Sequence, residues 1–340
     1  MDRRAALAGE GSGDMSLDVY AGVDIGGTTI QYGLATADGQ LQASERISTQ
    51  SADGPQRVLQ RVIEQVAAVV RSIDGRLLSV GVGLPGLVDI QTGHSRFLPN
   101  MPTQWRDVPV ARLLSDPLGC PVTVLNDARC ATLGEWQFGA GRGARTMALF
   151  TLGTGIGGGL VIEQRLRLGP FGAAGELGHQ TVDPQGPRCG CGNRGCLEAL
   201  ASGPALSAAG TRLVRAGLAP RLQTLAADQG SGVTPELMAR AADGGDHAVA
   251  EAIEDAARWL GIGIANVITM VHPELVLLGG GVSALGDRLL LPVRREIADR
   301  VRMFPSADVQ VKLAELGEHA GLWGAIALAR DGVAQWQPSG

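Results

Sequence analysis

The chain has 340 residues and a formal net charge of -5, a balance that argues against nonspecific nucleic-acid binding, which depends on Lys and Arg neutralising phosphates. Its length exceeds one ordinary core, so two domains of roughly 100–200 residues are expected, and a 45% hydrophobic content can fill both. Lys312 is the sole lysine, which excludes P-loop NTPases and leaves backbone amides, arginine or metal for any phosphate chemistry.

Residues 1–17 are small and polar and read as a disordered leader. From Val19 to Ile25 the pattern is a short strand, Gly26-Gly27-Thr28-Thr29 a turn, Ile30–Ala35 a second strand and Gln40–Ile47 a third. A glycine-hydroxyl turn of this kind is either a plain hairpin or an anion-sized nest of free N–H groups. Asp24 beside it is placed to hold Mg²⁺ through water.

Residues 56–73 carry Val58, Val62, Val66, Val69 and Val70 at helical spacing. A buried strand, Leu78–Val82, then meets the rigid turn Gly83-Leu84-Pro85-Gly86, and residues 99–105 read as a loop in which Asn100 is a candidate polar contact. The strand Val122–Leu125 ends at Asn126-Asp127, and residues 128–136 look helical. A carboxylate where a strand gives way to a helix is a favoured catalytic position in open α/β sheets, although an ordinary N-cap accounts for it too.

Met147–Leu152 is a strand, followed by a glycine turn over residues 153–159 and a strand from Leu160 to Ile162. Gly153, Gly155 and Gly158 satisfy G-x-G-x-x-G, as do Gly81, Gly83 and Gly86, but neither set opens a helix, so a nicotinamide-binding reading fails. The two glycine turns resemble each other in context, which suggests two similar α/β halves facing a cleft. Residues 203–262 are alanine-rich and helical, with a start at Thr234-Pro235-Glu236. A further helix over Ala248–Val271 stops at His272-Pro273, and the strand Glu274–Leu278 ends in Gly279-Gly280-Gly281-Val282. That triple glycine suits the close approach of a flat ring or ribose, or is a plain loop. A last helix spans His319–Arg330.

His179, Cys189, Cys191 and Cys196 fall within eighteen residues, among glycines that allow tight folding. Three thiolates and an imidazole form the ligand set of a closed structural zinc site; a disulfide would leave one cysteine over, and a Cys189–Cys191 bridge would close an awkward ring. Glu176 and Glu198 bracket this knot, so a metal that freezes the loop would also freeze two carboxylates suited to a polyhydroxy ligand. Cys120 and Cys130 add no framework. With no apolar run of about 18 residues and no apolar signal core behind Arg3 and Arg4, a reduced, cytoplasmic setting is expected, with no membrane partner.

The residues now in view resemble the ROK family of bacterial sugar kinases and repressors, over about residues 19–328. The motifs are Asp24-Ile25-Gly26-Gly27-Thr28, Gly83-Leu84-Pro85-Gly86, Leu125-Asn126-Asp127-Ala128, the run Leu152–Gly159, Glu176-Leu177-Gly178-His179 and the run Cys189–Glu198. Their joint appearance in this order is what makes the resemblance specific. It implies an actin-like, duplicated ribonuclease-H-like α/β fold with two domains around a cleft: residues 18–125 completed by helix 319–330, and residues 126–318 carrying the zinc-binding loop 176–198.

By that resemblance Gly26, Gly27, Thr28 and Thr29 grip ATP phosphates together with Gly153, Thr154 and Gly155, and Gly280, Gly281 and Val282 lie near the adenosine. Asn126, Asp127, Glu176, His179 and Glu198 match sugar contacts, with Asp127 as general base; His179, Cys189, Cys191 and Cys196 match the zinc ligands. The reaction implied is ATP-dependent phosphorylation of the 6-hydroxyl of glucose, with Mg²⁺ accompanying ATP and a homodimer or homotetramer as the assembly. Arg129 stands where many relatives carry Asn and is placed on the solvent face of its helix, or else near a phosphate. Kinases for mannose, fructose, allose or N-acetylmannosamine are the rival enzymes. A sugar-responsive repressor is the rival of another class; it would need a winged helix of about sixty residues or more ahead of the first strand, where about eighteen are present.

Overall fold

The computed structural model describes residues 16–98, 101–230 and 232–333. The leader assigned to residues 1–17 lies almost wholly outside them. Strands β1 (Leu17–Ile25), β2 (Thr29–Ala35) and β3 (Leu41–Ser48) form an antiparallel meander, and helix α1 (Pro55–Ser72) returns the chain to β4 (Gly75–Leu84). The valine stripe of α1 buries Val58, Val62, Val66 and Val69 together with Leu59, each contributing about 1.5–3 kcal/mol when fully buried. Short strands β5 (Leu87–Asp89), β6 (His94–Phe97) and β7 (Arg106–Val108) make a separate small sheet, with the segment read as loop lying between β6 and β7. Helix α2 (Val110–Leu118), β8 (Val122–Asn126) and α3 (Asp127–Gln137) follow.

The second half repeats the plan. Strands β9 (Met147–Leu152), β10 (Ile156–Ile162) and β11 (Arg165–Leu166) form a meander. The helices α4 (Leu197–Ala201), α5 (Gly203–Arg215), α6 (Pro220–Gln229), α7 (Pro235–Asp243) and α8 (His247–Val271) lead to β12 (Leu275–Gly279), α9 (Asp287–Arg300) and β13 (Gln310–Leu313), and α10 (Ala320–Asp331) closes the fold. The sheet orders are β3-β2-β1-β4-β8 and β11-β10-β9-β12-β13. In both, three strands are antiparallel and the last two pairings parallel. This is one unit built twice, as the paired glycine turns suggested.

Residues 156–159, expected in a turn, are the first part of β10, with Gly157 opposite Thr151 and Gly159 opposite Leu149. Glycine has a poor strand propensity, but α3 lies directly on this surface. A Cβ at Gly159 would collide with Thr132, and one at Gly157 with Ala128. Helices α3 and α10 pack side by side; α10 covers β1 and β4 while α3 also touches β10. Their contact is backbone to backbone, because a Cβ at Gly324 would overlap the Cys130 carbonyl. Gly324→Ala is therefore expected to destabilise the protein by about 1–3 kcal/mol or more, read as a lower urea midpoint. An unchanged midpoint would contradict this packing.

Candidate active site

The parallel strands deliver the polar residues to one place. Asp24 near the end of β1, Pro85-Gly86 just past β4, Asn126-Asp127 at the β8–α3 corner and Gly280 just past β12 all sit at carboxyl ends of strands, where open α/β sheets bind ligands. Three adjoining cavities connect them. One, of about 320 Å³, is lined by Glu176, His179 and Glu198 on one side and by Gly153, Thr154 and Gly155 on the other. A second, of about 230 Å³, holds Asp24 and Gly26, and shares Asp127, Ala128, Thr151 and Gly280 with the first. The third, of about 240 Å³, continues past Asp24 to Thr28, Thr29 and Arg46. Asp127 thus stands where the carboxylate-imidazole pocket meets the glycine-rich one.

Each side chain has a local reason for its place. Asn126 caps α3, its Oδ1 accepting from Ala128 N at 3.0 Å and Arg129 N at 3.3 Å, while its Nδ2 donates to the Gly86 carbonyl at 3.0 Å. Asp127 is the first helical residue, so its carboxylate faces the positive end of the α3 dipole, and Ala128 N donates to its Oδ1 at 2.8 Å. Burial nevertheless pushes the Asp127 carboxyl above its ordinary value, with the Glu176 charge adding and the Ala128 N–H and Arg129 charge opposing. Burial, then the charge of Asp127, pushes Asp24 up to about 7, with Arg46 opposing. A carboxyl raised by burial and by a neighbouring carboxylate makes a site that gains from a divalent cation.

Gly280 adopts φ +83°, and a Cβ there would press on the Leu152 backbone, so only glycine fits the approach of β12's end to β9. Gly281 is exposed, whereas Val282 is 3% exposed and belongs to the core of the second half. Its side chain is therefore turned away from the cleft, and any contact it makes with a ligand is through its backbone. Gly27 and Thr28 are exposed at the tip of the β1–β2 turn, where Gly26 N donates to the Thr29 carbonyl at 2.8 Å. Asn100 lies outside the described residues.

The cysteine knot is assembled as expected. His179 ends a short helical turn, Cys189 and Cys191 sit on a turn closed by Cys189 N donating to the Asn193 carbonyl at 2.8 Å, and Cys196 caps α4. All five cysteines of the chain are free thiols. The four ligand atoms of the knot lie within 4.8 Å of one another. Cys191 Sγ to Cys196 Sγ and Cys189 Sγ to His179 Nδ1 are both 3.7 Å, close to the edge of a tetrahedron with metal–sulfur bonds of about 2.3 Å. The donor set and its spacing fit a structural metal. The knot also touches the pocket: the Cys189 thiol donates to Glu198 Oε1 at 3.6 Å, and Glu198 Oε2 accepts from Ile156 N at 3.0 Å. His179 turns Nδ1 to the thiols and Nε2 toward Glu176 Oε2, 3.9 Å away.

Arg129 is not on a solvent face. It is 1% exposed and bonds within the pocket wall, because residues 128–135 of α3 are buried all round by β10 and α10. Glu135, fully buried on the same helix, accepts from Ala140 N, Glu315 N and Leu316 N and so anchors the segment leading into α10. Sequence reasoning misplaced Arg129 and missed Glu135; the available signal was two charges in the run 128–135, whose other residues are small or apolar.

The model of the ROK family matches residues 20–332. The chain belongs to the ROK family. The glucokinase of Thermotoga maritima is 36% identical over 318 residues, 92% of this chain and 97% of that one. The structure resembles that of a ROK family glucokinase from Streptomyces griseus in complex with glucose and AMPPNP, with a TM-score of 0.79 and 35% identity over 92% of this chain and all of that one. A xylose repressor of Caldicellulosiruptor bescii is 28% identical over 90% of this chain and 77% of its own length. The fold is the actin-like ATPase fold of the ROK sugar kinases, with two domains. Among the described residues no helix is long and apolar enough to cross a membrane.

Proposed function

We propose that this ROK-family protein, an ATP-dependent sugar kinase, transfers the γ-phosphoryl group of ATP to the 6-hydroxyl of glucose, with Asp127 as the general base. The observation that carries the proposal is the position of Asp127 in the lining of the first two of the three adjoining cavities. Asn126, Glu176, His179 and Glu198 offer the hydrogen-bonding groups that a hydroxyl-rich ligand needs, and the turns at residues 26–29 and 153–155 offer N–H groups to phosphates. In this reading residues 18–125 with 319–330 form one lobe, residues 126–318 the other, and the ligands meet between them.

The step is a single in-line displacement. The 6-oxygen forms a bond to γ-phosphorus, the bond from γ-phosphorus to the bridging oxygen breaks and leaves ADP, and the hydroxyl proton passes to Asp127. Base assistance of this kind accounts for about 10²–10⁴-fold, and fixing sugar and nucleotide in line contributes further. Mg²⁺ arriving with ATP, within reach of Asp24, supplies charge neutralisation on the phosphates. His179, Cys189, Cys191 and Cys196 would hold a zinc ion, which would stiffen the wall from which His179 and Glu198 reach the sugar. One imidazole nitrogen of His179 would then serve the metal and leave the other for the ligand.

The test is Mg-ATP-dependent ADP release over glucose, mannose, fructose, allose, N-acetylglucosamine and N-acetylmannosamine. Fastest turnover per KM is expected with glucose. A different preferred sugar would keep the mechanism and replace the substrate. No turnover on any of them, with sugar still bound, would overturn the kinase reading in favour of a sugar sensor.

A further inference from the structure

Arg129 lies two residues beyond Asp127 in α3's first turn, and its guanidinium reaches three oxygens. NH1 donates to Asn126 Oδ1 at 3.1 Å, Nε to the Ala174 carbonyl at 3.0 Å and NH2 to Glu176 Oε1 at 2.8 Å. Asn126 and Glu176 are otherwise independent, one capping α3 and the other on the loop that precedes His179. Among the described residues, Arg129 is what joins them. Asn126 passes the connection on to the Gly86 carbonyl just past the neighbouring strand β4, and Glu176 turns its second oxygen toward His179.

Stability is a poor explanation for this arrangement. The arginine is 1% exposed while its carboxylate partner is 42% exposed, so the cation gives up its hydration for a partner that keeps much of its own, a pairing that seldom repays its desolvation. A planar fork is, however, the side chain best suited to fixing two acceptors relative to each other. We propose that Arg129 is a positioning residue that locks Asn126 and Glu176 into one rigid clamp, and thereby sets sugar affinity and discrimination between epimers without touching the sugar itself. The inference rests on the sugar-kinase reading above and adds to it a determinant of specificity. Its charge also favours the Asp127 carboxylate against burial, so its influence extends to turnover.

Arg129→Lys keeps the charge and most of the volume but replaces the fork by one ammonium; Arg129→Met keeps the length and removes the charge. Initial rates would be measured with glucose, mannose and ATP varied separately, and thermal melts recorded on the same samples. In Arg129→Lys the KM for glucose is expected to rise about tenfold or more, the KM for ATP to stay within about twofold, and the preference for glucose over mannose to shrink. Arg129→Met should show the same change in KM and, in addition, a lower kcat that Arg129→Lys largely restores. An unchanged KM for glucose in both variants would overturn the inference. So would KM values for sugar and ATP rising in step with a falling melting temperature, which is the mark of a merely structural role. Wild-type protein silent on every sugar would instead remove the kinase reading, and this inference with it.

Discussion

Asp127→Asn is expected to cut turnover by at least about a hundredfold while leaving sugar affinity within a few-fold. Asparagine has nearly the same shape, keeps an oxygen to accept from Ala128 N and can still hydrogen-bond a hydroxyl. What it loses is the ability to take a proton at pH 7. Steady-state kinetics on the variant, with sugar binding followed by calorimetry, separate the two effects. Near-normal turnover would remove Asp127 from the base role. The pH profile gives an independent sign. Burial raises the Asp127 carboxyl, and Asp24 is raised to about 7, so both gain protons as the pH falls through values above the ordinary carboxylate range of about 4. The kcat/KM of the free enzyme should therefore decline on an acid limb lying above that range, and a flat profile down to about pH 4 would contradict the burial argument.

Loss of metal from the cysteine knot is expected to have the second large effect. The loop from Glu176 to Glu198 contains little regular structure beyond a single helical turn at its start. Its internal bonds include the tight turn closed by Gly192 N to the Cys189 carbonyl at 3.0 Å and a few bonds that tie its two arms, such as Val182 N to the Gly195 carbonyl at 2.9 Å. A structural zinc is worth on the order of 10 kcal/mol or more in isolated finger peptides, of which a loop anchored on a large core should register a few. Chelation, or Cys191→Ser at the exposed ligand, is expected to lower the melting temperature by about 5–10 °C and to raise the KM for sugar, because His179 and Glu198 lose a common support. The checks are metal content of the purified protein and melts with and without chelator. Metal-free protein with an unchanged melt would contradict the assignment.

Much of this site was legible because its signals are local. The β1–β2 turn at Gly26–Thr29, the strand-to-helix corner at Asp127 and the knot between His179 and Cys196 each occupy a short span, so residue type and spacing mark them as candidates, while the roles given to the turn and the corner come from the family resemblance. Features that depend on what packs against them were not legible. Gly157–Gly159 looks like a turn because glycine carries no strand preference, and only the flat approach of α3 shows why a strand there must be free of side chains. Arg129 reads as a surface residue on helical spacing, yet α3 has no solvent face along residues 128–135. Val282 follows two exposed glycines but turns into the core of the second half. In each case a neighbour distant in sequence decides the outcome.

The most direct test of the central claim is the identity of the product formed from glucose and Mg-ATP. Phosphorus NMR of the reaction mixture should show one new sugar phosphate, glucose 6-phosphate, appearing in step with ADP and absent when Asp127→Asn replaces the wild type. ADP formed without sugar phosphate, phosphate on another carbon, or equal product from the variant would contradict the placement of the 6-hydroxyl against Asp127.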